Sequence, residues 1–260
     1  YSTLFLSHNI LKELGVNTYP DQKGKSSVIF LEGSSLKGGK TAIPGDVSSQ
    51  FISGLMFACP MAQRDTEITV TTPLESKDYV KMTQEVLTQH KIKTEISSDF
   101  KQIRIPSNQT YKQIDSKVPG DFSSAAFILA AAAITKSKVK INNLSIQTNQ
   151  GDKAILEILK QMGVNGKVYQ ETIEIEGSGE HLKAVDIDAK NVPDLVPICA
   201  TLACYATGTT KICNAQRLRF KESDRLASVY EELSKMGAKI SMDESSLTIK
   251  GPTKLNGAKI

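Results

Sequence analysis

The sequence predicts an α/β (α+β) fold built from repeated helix–strand–helix–strand–strand units with buried helices. Two observations lead to this prediction. The hexapeptide Pro44–Ser49 (PGDVSS) recurs 75 residues later as Pro119–Ser124 (PGDFSS), and a weaker third copy places its proline a further 74 residues on, in Val192-Pro193-Asp194. The same succession of hydrophobic patterns then follows each copy, which is typical of an internally repeated fold.

Each unit opens with an apolar helix rich in small residues, and a short strand follows it. The predicted helices cover residues 50–59, 125–134 and 195–205, and the predicted strands cover residues 67–71, 138–141 and 210–213. Because these helices are apolar nearly all round, we expect them to be buried within the domains.

Each unit closes with an amphipathic helix and a strand hairpin. Apolar residues recur at spacings of three and four near residues 78–90, 152–162 and 223–236, and the hairpins end at residues 102–105, 172–175 and 247–249. Gly163 and Gly237 are expected to end the last two of these helices. Residues 8–34 resemble the tail of an earlier copy, a helix followed by two strands.

The polar stretch 107–117 has no apolar run and predicts a domain boundary. Residues 1–117 are then part of a first domain, and residues 118–260 are part of a second. The chain begins at Tyr1 inside a helical pattern and stops at Ile260 in what reads as the start of a strand. We therefore expect a central fragment, with the N-terminal portion of the first domain and the C-terminal portion of the second domain missing.

Composition excludes several classes of function. The 260 residues are 40% hydrophobic and 23% charged, as in ordinary globular proteins. The longest apolar run, residues 125–134, is about half of a bilayer span, so neither a membrane helix nor a signal peptide is predicted. A net charge of +4 with 6% aromatic residues and no tryptophan favours small anions over nucleic acid as partners.

No metal site is predicted from the cysteines and histidines. The cysteines are Cys59, Cys199, Cys204 and Cys213, and the histidines are His8, His90 and His181. Neither group has the spacing of metal ligands. Three of the cysteines lie in apolar segments, which predicts buried free thiols and a location in the reducing cytoplasm.

Three constellations could carry chemistry. Ser48-Ser49-Gln50 precedes the first apolar helix, where free N–H groups and the helix dipole favour a phosphate. The alternative is a plain helix cap. Ser123-Ser124 is the weaker candidate because two alanines follow it.

The second constellation is the segment 217–225. Arg217, Arg219 and Lys221 alternate as on an extended segment, and Arg225 follows Glu222 at helical spacing. Cations gathered around one carboxylate suit an anionic substrate and proton transfer, although a solvated ion-pair cluster is equally compatible with the spacing.

The third is Asp194, the only charged residue between Lys190 and Lys211. The third copy of the repeat lacks the two serines of the motif but keeps the carboxylate of Asp194. This pattern is compatible with a catalytic role for Asp194 and equally with a helix cap.

Taken together and in this order, the motifs resemble the 5-enolpyruvylshikimate-3-phosphate (EPSP) synthase family. The matching stretches are residues 45–51, 76–79, 119–125, 193–194 and 219–226. The resemblance covers nearly the whole chain from about residue 5. It implies a two-domain enolpyruvyl-transferase-like fold, with a hinge close to Val118-Pro119.

The resemblance also implies a reaction and roles for residues. The 5-hydroxyl of shikimate 3-phosphate adds to C2 of phosphoenolpyruvate, C3 is protonated, and the adduct then loses phosphate and a proton. The residues that the resemblance places at shikimate 3-phosphate are Ser48, Ser49, Gln50, Ser76 and Tyr79. Asp194 resembles the base at the 5-hydroxyl, and Lys221 and Glu222 resemble residues that move protons. Arg225 resembles the clamp on phosphoenolpyruvate, and Asp194 and Lys221 are also expected to contact substrate. The resemblance implies no metal or organic cofactor. The expected protein is a monomer without nucleic-acid or membrane partners.

The sequence departs from the family in ways that bear on activity. The N-terminal lysine-serine loop and the C-terminal Asp-His-Arg segment of the family are absent from these 260 residues, so we expect the isolated fragment to be weakly active or inactive.

Two alternative functions are compatible with the same fold. The sister transferase acting on UDP-N-acetylglucosamine uses a loop cysteine, and no cysteine here lies in a glycine-rich polar loop. A non-catalytic binding module of the same fold would not be expected to retain Asp194, Lys221, Glu222 and Arg225 together.

Overall fold

The structure is a computed structural model that describes residues 3–21, 28–33, 35–177 and 181–259. The chain forms two compact units, Tyr1–Ser116 and Lys117–Ile260. Each unit has its own hydrophobic core, and the two are described separately.

The first unit packs three helices against a four-stranded sheet. Its helices are α1 (Thr3–Glu13), α2 (Ser49–Ala58) and α3 (Lys77–Gln89), and its strands are β1 (Thr18–Asp21), β2 (Val28–Leu31), β3 (Gly39–Ile43), β4 (Thr66–Val70), β5 (Glu95–Ile96) and β6 (Gln102–Ile105). The sheet has the order β3-β4-β6-β5, in which only β3 and β4 are parallel, and β1 pairs with β2 as a separate antiparallel ribbon. Alternate residues of β4 and β6 point into the core, including Ile68, Val70, Ile103 and Ile105.

The second unit contains two further copies of the repeat. Its helices are α4 (Phe122–Thr135), α5 (Ala154–Gln161), α6 (Val196–Tyr205) and α7 (Arg225–Lys235), and its strands are β7 (Lys138–Asn142), β8 (Asn165–Val168), β9 (Thr172–Glu176), β10 (Leu182–Lys183), β11 (Ile187–Asp188), β12 (Ala206–Cys213), β13 (Lys239–Met242) and β14 (Leu247–Gly251). One sheet has three strands in the order β7-β9-β8. The other has the strand order β10-β12-β14-β13, and β11 also pairs with β12.

The predicted repeat is confirmed in all three copies. Each copy runs from an apolar helix to a strand, an amphipathic helix and a hairpin. Gly163 and Gly237 follow α5 and α7 with φ angles of +92° and +90°, a left-handed conformation that ends a helix and that glycine adopts without steric cost.

The expectation that the first helix of each unit is buried holds for α6 and only in part for α2 and α4. Helix α6 packs against α4, α7, β12 and β14, and most of its residues are buried. Helix α4 packs through the face that carries Phe122, Ala126 and Leu129, whereas Phe127 and Ile128 on its other face are 52% and 53% exposed. An apolar surface all round a helix therefore does not by itself determine burial within this chain.

The four cysteines are free thiols, and Cys59, Cys199 and Cys204 are buried, as the sequence predicts. Burial raises the pKa of the Cys199 thiol to about 12 and that of the Cys204 thiol to about 11, so these groups stay protonated and inert. Across the described ranges, no helix combines the length and the apolar character needed to cross a bilayer.

Candidate active site

The first part of the candidate site is the start of α2 in the first unit. Ser48 is the N-cap in extended conformation, and its Oγ accepts a hydrogen bond from the Gln50 N–H at 3.3 Å. No acidic residue lies in the first turn, so the positive end of the helix dipole is not neutralised there by a side chain of α2. Ser49 is buried and Gln50 is exposed. The arrangement combines a serine cap with a helix start that can accept an anion.

The loop before α2 is held by a threonine at the end of β4. Thr72 Oγ1 accepts hydrogen bonds from the Gly45 N–H at 2.8 Å and the Asp46 N–H at 3.3 Å, and it donates to Asp46 Oδ1 at 2.7 Å. Gly45 has to be glycine because a Cβ there would lie 2.7 Å from Val70 and 2.8 Å from the backbone of Leu74. The Pro-Gly-Asp turn thus packs tightly on the strand end and directs the chain into α2.

The start of α3 lies beside the start of α2. Ser76 precedes α3 with φ +51° and is 2% exposed, a left-handed conformation that is uncommon for serine and often found at functional positions. The Tyr79 N–H donates to the Ser76 carbonyl at 3.1 Å. Gln50 and Tyr79 line one groove between α2 and α3. The structure therefore brings the five sequence-predicted residues of this unit to two adjacent helix starts.

The second part of the candidate site lies in the second unit and centres on Arg225, the first residue of α7. Its Nη1 lies 2.5 Å from Asp194 Oδ1, and its Nε donates to Glu222 Oε1 at 2.7 Å. Asp194 sits in a short 3₁₀ helix, Pro193–Leu195, just before α6. The N-cap positions of that helix and of α6 are Val192 and Leu195, so Asp194 occupies neither of them. The Asp194 carboxylate forms an ion pair with Arg225.

Lys221 lies within the same electrostatic network. Burial lowers the pKa of its ammonium group, the Asp194 carboxylate acts in the opposite direction, and the positive charges of Arg217 and Arg225 lower the pKa further. The pKa of Glu222 is also lowered, chiefly because Arg225 donates a hydrogen bond to it. The segment thus holds a lysine that gives up its proton more readily than usual beside two carboxylates.

The extended alternation expected for Arg217, Arg219 and Lys221 is wrong. Residues Gln216–Phe220 form a 3₁₀ helix, which buries Leu218 and turns the arginines to different surroundings. At three residues per turn, positions two apart point in different directions. Arg217 is 4% exposed and donates to the Lys190 carbonyl at 3.2 Å.

The structure gives Arg219 a role that sequence reasoning missed. Its guanidinium donates to Asp224 Oδ2 and to the carbonyl oxygens of Asp243 and Glu244, all within 2.9 Å. Asp224 is the N-cap of α7 and accepts from the Ala227 N–H. Arg219 thus ties the start of α7 to the turn after β13. In the sequence, the acidic residue Asp224 five positions after Arg219 is a signal from which this ion pair could have been predicted.

The sequence-predicted site residues therefore form two groups, one in each unit. In the described ranges, no cluster of three or more His, Cys, Asp or Glu side chains is suited to hold a metal ion.

The fold of this chain is similar to that of solved enolpyruvyl transferases. A solved EPSP synthase from Acinetobacter baumannii has a TM-score of 0.69 and 27% identity over 95% of this chain and 56% of its own length. The enolpyruvyl transferase NikO from Streptomyces tendae, at 18% identity, shares the fold alone, with a TM-score of 0.72 over 95% of this chain and 58% of its own. The fold is that of the enolpyruvyl transferases.

Residues 7–260 match the EPSP synthase (3-phosphoshikimate 1-carboxyvinyltransferase) family, and the chain belongs to that family. The curated relative from Methanocaldococcus jannaschii is 41% identical over 250 residues, and the one from Methanocella arvoryzae is 43% identical over 250 residues. Both are named 3-phosphoshikimate 1-carboxyvinyltransferase. Each comparison covers 96% of this chain but only 58% of the relative, so the chain spans less than two thirds of these proteins.

Proposed function

We propose that the protein to which this chain contributes transfers the enolpyruvyl group of phosphoenolpyruvate to the 5-hydroxyl of shikimate 3-phosphate and releases phosphate. The observation that carries the proposal is the Asp194–Arg225–Glu222 network with Lys221 beside it, in a chain of the EPSP synthase family. The reaction needs a base, a proton donor and cations for two phosphorylated anions, and this network offers all three.

The proposed roles in the second unit follow from charge and position. Asp194 takes the proton of the attacking 5-hydroxyl. Lys221 supplies the proton to C3 of phosphoenolpyruvate, and its lowered pKa supports this role because an ordinary lysine holds its proton too firmly at neutral pH. Arg225 binds the phosphate or carboxylate of phosphoenolpyruvate through its planar guanidinium. Glu222 then serves as the acid/base residue near C3 once Arg225 turns from it to the substrate.

The proposed roles in the first unit are binding roles. The start of α2 receives the phosphate of shikimate 3-phosphate through Ser48, Ser49 and Gln50. Ser76 and Tyr79 make further contacts to the same substrate, which is consistent with the groove that Gln50 and Tyr79 share. No step of this reaction calls for a metal or an organic cofactor.

The domain assignment is part of the same proposal. Residues 1–117 would be part of one enolpyruvyl-transferase domain and residues 118–260 part of the other, with the hinge near Val118-Pro119. The protein would work as a monomer in the cytoplasm. Membership of the EPSP synthase family favours shikimate 3-phosphate over UDP-N-acetylglucosamine as the acceptor.

The test is phosphate release by a chain extended along its native reading frame at both ends. Release should require shikimate 3-phosphate and phosphoenolpyruvate together. Asp194→Asn, which keeps the size of the side chain and removes its charge, should lower kcat by at least about a hundredfold, as loss of a general base does. Glu231→Gln, an exposed carboxylate on α7, is the matched control and should leave the rate unchanged.

The proposal is wrong if the folded, extended protein releases no phosphate with both substrates. Release with UDP-N-acetylglucosamine as acceptor would support the sister activity instead, and ligand binding without release would support a non-catalytic module.

A further inference from the structure

The two Pro-Gly-Asp-x-Ser-Ser segments start their helices in different ways. Helix α4 begins at Phe122 with Asp121 as its N-cap, whereas α2 begins at Ser49 with Ser48 as its N-cap. In the shared motif, the cap of α2 therefore lies two residues later than the cap of α4. The same six-residue motif thus gives two different helix starts.

In the second copy, the helix start is occupied by the protein's own carboxylate. Asp121 accepts hydrogen bonds from the N–H groups of Ser123 and Ser124 at 3.0 and 3.1 Å, and both hydroxyls donate to it at 2.5 to 2.9 Å. Although burial raises the pKa of Asp121, these hydrogen bonds lower it by more, so the group stays charged. The Asp121 carboxylate therefore occupies the position at the start of α4 where a phosphate would otherwise bind.

The loop of the second copy is held by a different side chain. Gln150 accepts from the Phe122 N–H at 2.7 Å and donates to the Gly120 carbonyl at 2.8 Å. The loop therefore keeps its shape without using the carboxylate of Asp121, which is left to cap α4.

In the first copy, the equivalent carboxylate is held elsewhere. Asp46 accepts from Thr72 Oγ1 at 2.7 Å, and Thr72 in turn accepts from the Gly45 and Asp46 N–H groups. Within the described residues, neither the Ser48 N–H nor the Ser49 N–H donates a hydrogen bond. These two groups correspond to the N–H groups that Asp121 binds in the second copy.

We propose that Thr72 is a positioning residue that holds the Asp46 carboxylate away from the start of α2 and so leaves the Ser48 and Ser49 N–H groups to the phosphate of shikimate 3-phosphate. This inference rests on the proposed function for the identity of the ligand. Without the Thr72 hydroxyl, Asp46 turns to α2 as Asp121 turns to α4, fills the anion position and repels the phosphate.

Four variants of the extended protein test the role of Thr72 through the Kd of shikimate 3-phosphate. Thr72→Val removes the hydroxyl at nearly constant volume and should weaken binding about tenfold, the effect of one competing charged hydrogen bond. Thr72→Ser keeps the hydroxyl and should bind as wild type. Adding Asp46→Asn to Thr72→Val removes the competing charge and should restore most of the affinity. Asp121→Asn, in the other copy, should change nothing.

A second readout does not depend on the ligand. The amide proton shifts of Ser48 and Ser49 are followed by NMR as the pH is lowered from about 6 to about 3, the range in which aspartate side chains protonate. They should move with protonation of a carboxylate in Thr72→Val, and they should not in wild type or in the double variant. A pH-dependent shift in Thr72→Val that disappears when Asp46→Asn is added would identify Asp46 as the carboxylate that contacts the start of α2.

The outcomes separate the two proposals. If wild type fails to bind shikimate 3-phosphate but the amides of Thr72→Val titrate, the proposed substrate is wrong and the positioning role of Thr72 stands. If the amides do not titrate in Thr72→Val, or if the double variant binds as weakly as Thr72→Val, Thr72 has no such role and only supports the loop.

Discussion

Lys221 carries a cost in stability that its proposed role explains. Burial is the main cause of its lowered pKa, which means that the folded state holds the charged ammonium less favourably than the unfolded state does. We predict that Lys221→Met abolishes phosphate release and raises the free energy of unfolding by about 0.5–1 kcal/mol at pH 7, a typical gain when a strained functional group is removed. Urea denaturation followed by circular dichroism measures the difference.

The pH dependence of that difference has a definite sign. Between the lowered pKa of folded Lys221 and the ordinary value of about 10.4, the unfolded chain binds more protons, so stability rises with pH. The advantage of Lys221→Met over wild type should therefore shrink as the pH rises from the lowered pKa of folded Lys221 towards about 10.4. An advantage that stays constant or grows with pH would contradict burial as the cause. Lys239→Met, an exposed lysine on β13, is the control.

Glu222 depends on Arg225 for its ionisation behaviour. The hydrogen bond from Arg225 is the first cause of the lowered pKa of this carboxyl. We predict that Arg225→Gln returns the pKa of Glu222 towards the ordinary value of about 4.3. Carbon-13 NMR of the glutamate carboxyl groups gives the titration directly. Arg104→Gln, in the other unit, should leave the Glu222 curve in place, and an unchanged curve in Arg225→Gln would mean that another group sets this pKa.

At the scale of elements, two of the amphipathic helices, α5 and α7, end at a glycine in the left-handed conformation. Gly163 follows α5 with φ +92°, and a Cβ there would meet nothing within 4 Å. Any cost of Gly163→Ala is therefore conformational, and we predict a loss of about 1–2 kcal/mol in the free energy of unfolding. Amide hydrogen exchange in α5 measures it at the level of this unit.

Two substitutions control for the glycine prediction. Gly163→Asn should cost less than alanine, because asparagine tolerates the left-handed region better. Gly54→Ala lies inside α2, again with nothing within 4 Å of the added Cβ, and should stabilise that helix by about 0.5–1 kcal/mol. If both alanine variants changed stability in the same direction, backbone conformation would not be the deciding factor.

Elements could be predicted from the sequence where the signal is local. Apolar residues spaced three and four apart predict α3, α5 and α7, and the alternation of polar and apolar residues in Gln102–Ile105 predicts β6. Both patterns arise because apolar side chains face the core. The 3₁₀ helix Gln216–Phe220 was missed because alternation of charges at two-residue spacing is compatible with a strand. Its turn is instead set by burial of Leu218 and by contacts of Arg219 with residues 24 and 25 positions away.

The sequence predicts which residues belong to the candidate site, but it does not predict which of them are in contact. Asp194 and Arg225 are 31 positions apart, and nothing in their spacing requires the contact between them. The fold makes the contact by placing the starts of α6 and α7 together, and α6 packs directly on α7. The same holds for Thr72 and Asp46, which are 26 positions apart and meet because β3 and β4 are parallel neighbours.

At the scale of the whole molecule, the charge balance of the second-unit cluster limits what this chain can do alone. In the second-unit cluster, Arg217, Lys221 and Arg225 face Asp194 and Glu222, so only about one positive charge is left for two multiply charged anions. The chain spans only 58% of its curated relatives. We predict that this 260-residue chain binds shikimate 3-phosphate and phosphoenolpyruvate weakly and releases little or no phosphate.

The measurement compares this chain with the natively extended protein at equal concentration and low ionic strength, where electrostatic binding is strongest. We expect the extended protein to turn over, and we expect adding salt to weaken what binding the short chain retains. Circular dichroism of the short chain must report folded helices and strands, so that inactivity cannot be ascribed to unfolding. Turnover by the 260-residue chain at a rate close to that of the extended protein would overturn the prediction, because its own cations would then suffice for both substrates.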